Sequence, residues 1–286
     1  MKQYLKLMRP HHYIKNFLVF AALLCSGQLF HLEKLTAGLA AFVSFCMVSS
    51  VVYIINDIRD VEKDRNHPTK CRRPIAAGTV PVRNAWILAA VLLVIAAACN
   101  ALRFHVTSTL LLALYLLLNL AYSFGLKNIP IVDVTILVAG FLIRILYGAV
   151  VTDIVISNWL YLTVIALSFY FALGKRRNEL KQLRQGETRK VLKSYPISFL
   201  DKSMSMCLTL AVVFYTLWSM DENTISFYNN QYLVFTVPIV LLITMKYSLD
   251  IEGESDGDPV EVLLHDKVLL ALCVLYMAVM FLILYL

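Results

Sequence analysis

The chain has 286 residues, 59% of them hydrophobic, and its mean hydropathy is +0.71. A soluble domain of this length is not so apolar, so the composition predicts an all-α protein with several membrane-spanning helices. The formal net charge of +7 suits anionic lipid headgroups and phosphorylated substrates. Because no soluble basic domain is present to carry this charge, we exclude nucleic acid as a partner and expect the bilayer instead.

Nine apolar runs follow one another along the chain and predict about nine transmembrane helices. The runs cover residues 16–30, 36–56, 84–102, 107–124, 129–151, 158–174, 204–220, 231–247 and 268–286. The first run follows basic residues, as the apolar part of a signal peptide would, but no small-x-small cleavage site follows it. We therefore expect a retained helix. No internal repeat or long linker divides the chain, which predicts a single domain over residues 1–286.

The basic residues are distributed unevenly between the predicted loops. With nine spans and an internal N-terminus, every Lys and Arg lies on the inner side except Lys34, Arg103 and Arg144. Basic residues are retained on the cytoplasmic side of membrane proteins, so we expect an inner-membrane protein whose N-terminus and long charged loops face the cytoplasm. The six Cys residues show no C-x-x-C spacing, so neither a zinc site nor a disulfide framework is indicated.

A charged segment, YIINDIRDVEKDRNHPTKCRRPIAAG (residues 53–78), follows the second run. If the helix continues into it, one face presents five side chains, those of Tyr53, Asn56, Asp57, Asp60 and Asp64. Three stacked carboxylates repel one another unless a cation joins them, and Mg²⁺ prefers oxygen ligands together with substrate phosphates. We predict a Mg²⁺ site with Asn56 and Asp60 as ligands, and with Asp57, Asp60 and Asp64 as catalytic carboxylates. A solvated helix end is the alternative.

The run NDIRDVEKDRNHPTKCRRPIAAG (residues 56–78) resembles the first aspartate-rich motif of the UbiA-type intramembrane prenyltransferase superfamily. The resemblance extends to RPHHYIKN (residues 9–16), YSFGLKNIPIVDV (residues 122–134) and GFLIR (residues 140–144). It implies a bundle of about nine helices with a lateral cavity that is open to lipid. In this superfamily the polar end of the cavity binds a diphosphate through Mg²⁺.

The second long charged loop departs from the superfamily pattern. Where members carry another aspartate-rich cluster, this chain reads LGKRRNEL (residues 173–180), which predicts an anion site in place of a second metal. This loop, together with RKVLKSY (residues 189–195), SLDIEG (residues 248–253) and HDKVL (residues 265–269), resembles the decaprenyl-phosphate phosphoribosyltransferase branch. That branch transfers a 5-phosphoribosyl group from phosphoribosyl pyrophosphate to a polyprenyl phosphate and releases pyrophosphate, a step towards cell-envelope glycolipids.

These two substrates are both anionic, so the candidate substrate-binding residues are mostly cations at the inner side. For the donor we expect Tyr53, Lys70, Arg72, Arg73, Lys175 and Arg176. For the acceptor phosphate, at the membrane boundary, we expect Lys15, Lys127 and Arg144, and the motif that contains Lys127 adds Tyr122. Some of these cations can instead reflect the positive-inside rule alone. Arg177 is expected to contribute little.

Other readings of the sequence remain open. A prenyltransferase that uses an aromatic or quinone-precursor acceptor is the main alternative, and a transporter or lipid carrier is the third. The acidic stretch IEGESDGDPVEVLLHD (residues 251–266) is expected to be a solvated loop. Assembly into a homo-oligomer is compatible with the sequence, and the prenyl chain length cannot be derived from apolar residues alone.

Overall fold

The computed structural model describes residues 2–103, 105–181, 190–253 and 259–285. These residues form α-helices and short 3₁₀ helices and no β-strand, which confirms the predicted all-α class. Parts of the motifs at residues 189–195 and 251–266 lie outside the described residues.

The α-helices of the described ranges are numbered here in chain order. The first seven are α1 Lys2–Met8, α2 Ala21–Cys25, α3 Leu32–Arg59, α4 Val61–Arg65, α5 Val82–Ala101, α6 Val106–Phe124 and α7 Val132–Val151. The remaining six are α8 Asn158–Lys181, α9 Ile197–Met220, α10 Glu222–Tyr228, α11 Val237–Glu252, α12 Pro259–His265 and α13 Lys267–Tyr285. Five 3₁₀ segments lie between them, and three of these carry candidate site residues: Pro10–Phe20, Lys70–Arg72 and Leu126–Asn128.

Seven helical segments of the described chain are long and apolar enough to cross a membrane. They are α3, α5, α6, α7, α9, the segment Tyr232–Glu252, and α13. The other two predicted runs correspond to the segment Pro10–Cys25 and to α8, whose last turns are charged and lower its mean hydropathy. The multi-pass class is thus confirmed, and nine is an approximate count of spans.

The first predicted membrane helix is mainly a 3₁₀ helix, which corrects the expectation of a regular span at residues 16–30. Pro10–Phe20 is a 3₁₀ helix of 11 residues, although 3₁₀ runs longer than about four residues are uncommon. It packs closely on α7, because a Cβ placed at Gly148 would lie 1.8 Å from the carbonyl oxygen of Val19. A side chain at this position would push the two backbones apart, so glycine permits their contact.

The Cα positions divide into two compact units. The first contains Met1–Phe124 and Ile143–Val155, and the second contains Gly125–Leu142 and Ile156–Leu286. In the first unit the rings of Phe45, Tyr115 and Tyr147 form the centre of a buried cluster, with Phe45 4.6 Å from Tyr115 and 5.8 Å from Tyr147 between ring centroids. The single-domain assignment stays a prediction.

The second unit has its own core, formed where α7, α8, α9 and α11 meet. Tyr170 and Tyr247 contact each other edge to face at 5.8 Å, and Leu200 and Ile251 are almost fully buried beside them. Both cores are apolar and both include buried charged residues near their helix ends. Those charged residues carry the candidate functions.

Candidate active site

The acidic segment after α3 does not form one continuous helix, which corrects the predicted five-residue stripe. Helix α3 ends at Arg59, and Asp60 caps it with φ −92° and ψ 10° before the short helix α4 begins. The Asp60 N–H still donates to the carbonyl of Asn56 at 2.9 Å. Asn56 and Asp57 therefore lie in the last turn of α3, Asp60 lies at the break, and Asp64 belongs to α4.

Two of the four polar residues are held by arginines. Asp57 is 2% exposed, and its Oδ1 accepts hydrogen bonds from Arg9 Nη2 at 2.6 Å and Arg73 Nη1 at 3.2 Å. The same Nη1 of Arg73 donates to Asp64 Oδ2 at 2.6 Å. These contacts offset the repulsion between the two carboxylates that the sequence assigned to a metal. Arg9 and Arg73 thereby tie the N-terminal segment and the following loop to the end of α3.

Asn56 and Asp60 fit the oxygen ligands of a Mg²⁺ ion better than Asp57 and Asp64. Asn56 Oδ1 accepts a hydrogen bond from Ser123 Oγ of α6 at 2.5 Å, which fixes the amide and leaves a second lone pair. The Asp60 carboxylate is partly exposed and makes no hydrogen bond or ion pair with a described residue. Within the described ranges no group of three acidic, His or Cys side chains could hold a metal. Mg²⁺ commonly takes only one or two protein carboxylates and completes its shell with water and phosphate.

A cavity of about 310 Å³ opens beside Asp57. Its lining residues are Lys6, Arg9, His11, His12, Asp57, Thr69, Lys70, Arg72, Arg73 and Pro74. Five of these side chains are Lys or Arg, against one carboxylate. The donor candidates Lys70, Arg72 and Arg73 are thus brought together, and the arrangement is suited to a multiply charged anion.

The sequence did not predict the N-terminal wall of this cavity, which is formed by Lys6, Arg9, His11 and His12. Arg9 lies over the ring of Tyr53, with 5.2 Å from the guanidinium carbon to the ring centroid, and the His12 ring lies 5.3 Å from the same ring. Lys6 Nζ donates to the carbonyl oxygen of Arg72 at 3.3 Å. The signal was present in the motif RPHHYIKN (residues 9–16), in which Lys15 alone was assigned a role from the sequence.

The residues expected in a second charged loop, 173–180, are instead the last turns of α8, and both arginines there are buried in ion pairs. Arg176 is 1% exposed, and its Nε and Nη1 donate to Asp133 and Glu179, each at 2.7 Å. Arg177 is also buried and pairs with Asp201 of α9 and with Glu252 of α11. The anion site predicted at residues 173–180 is therefore not built from these two arginines, because carboxylates already neutralise them.

Tyr195 completes the buried group around Asp133. Its hydroxyl donates to Asp133 Oδ1 at 2.6 Å and accepts from the backbone N–H of Ile131 at 2.5 Å. Burial and the adjacent carboxylate raise the pKa of Tyr195 to about 12. The phenol therefore stays protonated at neutral pH and serves as a permanent donor to Asp133.

Arg144 is a charged candidate in the interior of the candidate span α7, and it is hydrogen-bonded to side chains from other elements of the first unit. Its Nε donates to Asn16 Oδ1 at 2.9 Å and its Nη2 donates to Tyr115 Oη at 3.0 Å. The guanidinium carbon lies 5.0 Å from the ring centroids of both Phe45 and Tyr115. Asp133, the acidic residue of the same helix, is engaged by Arg176 and Tyr195.

The remaining candidates are half-buried at the ends of helices. Lys15 lies in the 3₁₀ helix Pro10–Phe20, Tyr122 lies in the last turn of α6, and Lys127 lies in the 3₁₀ segment Leu126–Asn128. Lys175 precedes the paired arginines on α8 and is also half-buried. The roles of these four residues stay predictions.

The fold and these motifs agree with a match to the model of the UbiA prenyltransferase family over residues 17–262. The chain belongs to the UbiA prenyltransferase family. This UbiA-family chain is 39% identical to the decaprenyl-phosphate phosphoribosyltransferase of Mycolicibacterium smegmatis, over 93% of the chain and 87% of that protein. It is 36% identical to the protein of the same name from Mycobacterium tuberculosis, over 96% of the chain and 91% of that protein. It is also 36% identical to the one from Corynebacterium glutamicum, over 93% of the chain and 81% of that protein.

Solved structures show the same fold at low sequence identity. A UbiA homolog from Archaeoglobus fulgidus, bound to DMAPP and Mg²⁺, has a TM-score of 0.71 at 17% identity and covers 99% of both chains. The same homolog bound to GPP and Mg²⁺ has a TM-score of 0.68 and covers 99% of this chain and 100% of that one. The UbiA-like bundle expected from the sequence is thus confirmed, and the resemblance to the phosphoribosyltransferase branch is supported by the named relatives.

Proposed function

We propose that this chain is a Mg²⁺-dependent membrane glycosyltransferase that moves a 5-phosphoribosyl group from phosphoribosyl pyrophosphate to a polyprenyl phosphate such as decaprenyl phosphate. The observation that carries this proposal is the cationic cavity beside the acidic end of α3. A prenyl diphosphate carries one anionic group, whereas phosphoribosyl pyrophosphate carries two. The excess of Lys and Arg over carboxylates matches the more highly charged donor, and the names of the relatives agree with it.

Asn56 and Asp60 would hold the Mg²⁺ ion, which when bound neutralises charge on the departing pyrophosphate. Asp57 and Asp64 have a different task, because they fix the guanidinium groups of Arg9 and Arg73. Fixed donors stabilise developing charge more effectively than mobile ones, since they need no reorganisation during the reaction. Two of the three carboxylates therefore act by positioning cations.

The donor would be bound by Lys70, Arg72 and Arg73, with the Tyr53 hydroxyl directed to the ribose. Lys175 is a further proposed ligand from the second charged loop. Arg176 is better explained as a structural residue, because its charge is already shared between Asp133 and Glu179.

The residues proposed for the acceptor phosphate stay Lys15, Tyr122, Lys127 and Arg144, as the sequence predicts. One phosphate oxygen of the lipid attacks the anomeric carbon of the ribose, and the bond from that carbon to the pyrophosphate oxygen breaks. A phosphate monoester is already largely ionised near neutral pH, so no general base is needed. Alignment of the two substrates then supplies much of the rate enhancement.

We place this reaction at the cytoplasmic face of the inner membrane, because the basic residues of the chain are concentrated in loops assigned to that side. The bilayer would hold the lipid acceptor, and the soluble donor would enter from the cytoplasm. Assembly into a homo-oligomer stays a prediction.

The test compares two donor–acceptor pairs with the purified protein in lipid nanodiscs. One reaction contains phosphoribosyl pyrophosphate and decaprenyl phosphate, and the other contains a prenyl diphosphate and an aromatic acid. Mass spectrometry of the lipid extract is expected to find a phosphoribosylated lipid in the first reaction only, and only with Mg²⁺. A prenylated aromatic product with no phosphoribosylated lipid would overturn the proposal in favour of a prenyltransferase.

A further inference from the structure

The cavity beside Asp57 has two walls that come from distant parts of the sequence. Lys6, Arg9 and the two histidines that follow belong to the N-terminal segment, whereas Thr69, Lys70, Arg72, Arg73 and Pro74 belong to the loop after α4. The hydrogen bond from Lys6 Nζ to the Arg72 carbonyl joins the two walls. The second wall belongs to the acidic motif at residues 56–78, whereas no particular phosphate group of the donor has yet been assigned to the first wall.

The backbone at Arg9 adopts an unfavourable conformation that directs this residue into the site. Its φ of 55° and ψ of 59° are left-handed, a conformation that is uncommon for a non-glycine residue. The strained residue joins α1 to the 3₁₀ helix, and its guanidinium contacts both the Asp57 carboxylate and the Tyr53 ring. Arg73 is held by the same carboxylate. Two guanidinium groups are thus in place before a ligand arrives, which reduces the entropy lost on binding.

The lining chemistry favours a metal-free anion over a metal-bound diphosphate. The one carboxylate in the lining, Asp57, is already engaged by Arg9 and Arg73. The unengaged carboxylate of Asp60 is not part of the lining. A phosphate in this cavity would therefore be bound by charge-assisted hydrogen bonds from Lys and Arg. Asn56 precedes Asp57 in the last turn of α3, and Asp60 follows at the break three residues later, so these two proposed metal ligands are near enough in the chain for a second anionic group of the same ligand.

We propose that this cavity binds the 5-phosphate of the pentose donor, with the N-terminal residues Lys6, Arg9 and His11 as its specific ligands, and leaves the diphosphate to Asn56, Asp60 and magnesium. This assignment rests on the proposed function for the identity of the donor. It makes the N-terminal wall a determinant of donor specificity. A prenyl diphosphate has its diphosphate but no separate phosphomonoester that could neutralise the cations of this wall. The enzyme would thus discriminate by leaving excess positive charge unpaired when the wrong donor binds.

The test measures binding of ribose 5-phosphate, which has the phosphomonoester but no diphosphate. Isothermal titration of the purified protein in EDTA is expected to detect binding that added Mg²⁺ does not strengthen. Lys6→Ala is expected to weaken it about tenfold, whereas the matched variant Lys2→Ala, on the same helix but outside the cavity lining, is expected to leave it unchanged. Binding of pyrophosphate with Mg²⁺ is expected to be the same in both variants and the parent, which also shows that they are folded.

Three results would overturn the assignment. Equal weakening by Lys2→Ala would show a general effect of surface charge, and a strict requirement for Mg²⁺ would place ribose 5-phosphate at the metal. If Lys6→Ala weakened the binding of ribose 5-phosphate and of pyrophosphate equally, the cavity would be identified as the diphosphate site. Titration with inorganic phosphate separates a bare phosphate site, which binds both ligands equally, from the proposed pentose phosphate site, which prefers the sugar phosphate. If the parent binds ribose 5-phosphate as expected but forms no phosphoribosylated lipid, the proposed function fails and the binding site stands.

Discussion

The two charged loops contain similar numbers of cations and use them in opposite ways. In the first, Asp57 and Asp64 hold Arg9 and Arg73 at the edge of a cavity, and further cations line it without a carboxylate of their own. In the second, each of the two buried arginines meets two carboxylates. The number of cations in a segment therefore does not predict whether it binds an anion. Ion pairs within the protein determine how much positive charge remains available to a ligand.

Burial gives the physical reason for this division. A charge removed from water is stable only when it is paired and hydrogen-bonded, so the buried arginines of α8 need their carboxylates and serve to join helices. Cations that line an open cavity keep part of their hydration and can exchange water for a phosphate. We therefore propose a catalytic role for the first charged segment and a structural role for Arg176 and Arg177 of the second, and the following variants test that contrast.

The largest effect is expected for Asp60→Asn. Loss of a metal-binding carboxylate should lower turnover about a thousandfold, equivalent to about 4 kcal/mol of transition-state stabilisation, while the melting temperature stays unchanged. Formation of the phosphoribosylated lipid with saturating Mg²⁺ is the measurement. Glu62→Gln is the control, because Glu62 lies in the same segment but is 80% exposed and pairs only with Arg65 among the described residues. Full activity of the Asp60 variant would contradict the metal assignment.

Arg176→Met should act on stability and not on donor binding. It leaves Asp133 buried without its ionic partner, which costs about 3 kcal/mol by analogy with other broken buried pairs. Denaturant unfolding in detergent measures the loss, and donor KM is expected to stay within twofold of the parent. The double variant Arg176→Met with Asp133→Leu should recover part of the stability. If Arg176→Met were as stable as the parent but had a greatly raised donor KM, Arg176 would be a substrate-binding residue after all.

Arg177→Ala is expected to lower the free energy of unfolding by about 2 kcal/mol, since hydrogen bonds to two carboxylates are lost. The sequence predicted little effect of this change on use of the donor, and that stays a prediction; the buried contacts with Asp201 and Glu252 add an expected effect on stability. The measurement compares the thermal unfolding of Arg177→Ala with that of Arg65→Ala. Arg65 is the control because its exposed side chain pairs with exposed Glu62. Equal stability of the two variants would show that the pairs on α8 contribute nothing.

Lys70→Ala should raise the KM for phosphoribosyl pyrophosphate about tenfold, equivalent to about 1.4 kcal/mol. Lys70 lines the cavity and Lys63 does not, although both are exposed lysines of the same charged segment. Lys63→Ala is therefore the matched control and is expected to keep the parental KM. Similar, small changes in both variants would mean that these lysines only follow the positive-inside rule.

The smallest effect is expected for Tyr195→Phe, about 1 kcal/mol of stability from the lost hydrogen bond to Asp133. Because the pKa of Tyr195 is raised to about 12 in the folded protein, against about 10 when unfolded, the protonated phenol stabilises the fold fully below pH 10. This contribution is lost as the pH rises towards 12. Melting temperatures at pH 8 and pH 11.5 should differ more for the parent than for the variant, and equal pH dependence would contradict the assignment.

The sequence by itself determined the membrane class and the approximate extent of the helices, because the length of an apolar run is a local property. It also located the acidic end of α3 and, by resemblance, the family to which the chain belongs. Asn56 and Asp60 could be chosen as metal candidates because the oxygen chemistry of their side chains can be read from neighbouring positions.

Only the tertiary structure decided which charges are paired. Arg9 meets Asp57 across 48 positions, Arg176 meets Asp133 across 43, and Lys6 reaches the Arg72 carbonyl across 66. No local pattern encodes such contacts, since they depend on where the helices bring their ends. The break at Asp60 escaped the helical pattern for a related reason: the N-terminal arginine and the following loop converge on the last turn of α3. An ion pair is formed in space, and the sequence specifies only the charges available to form it.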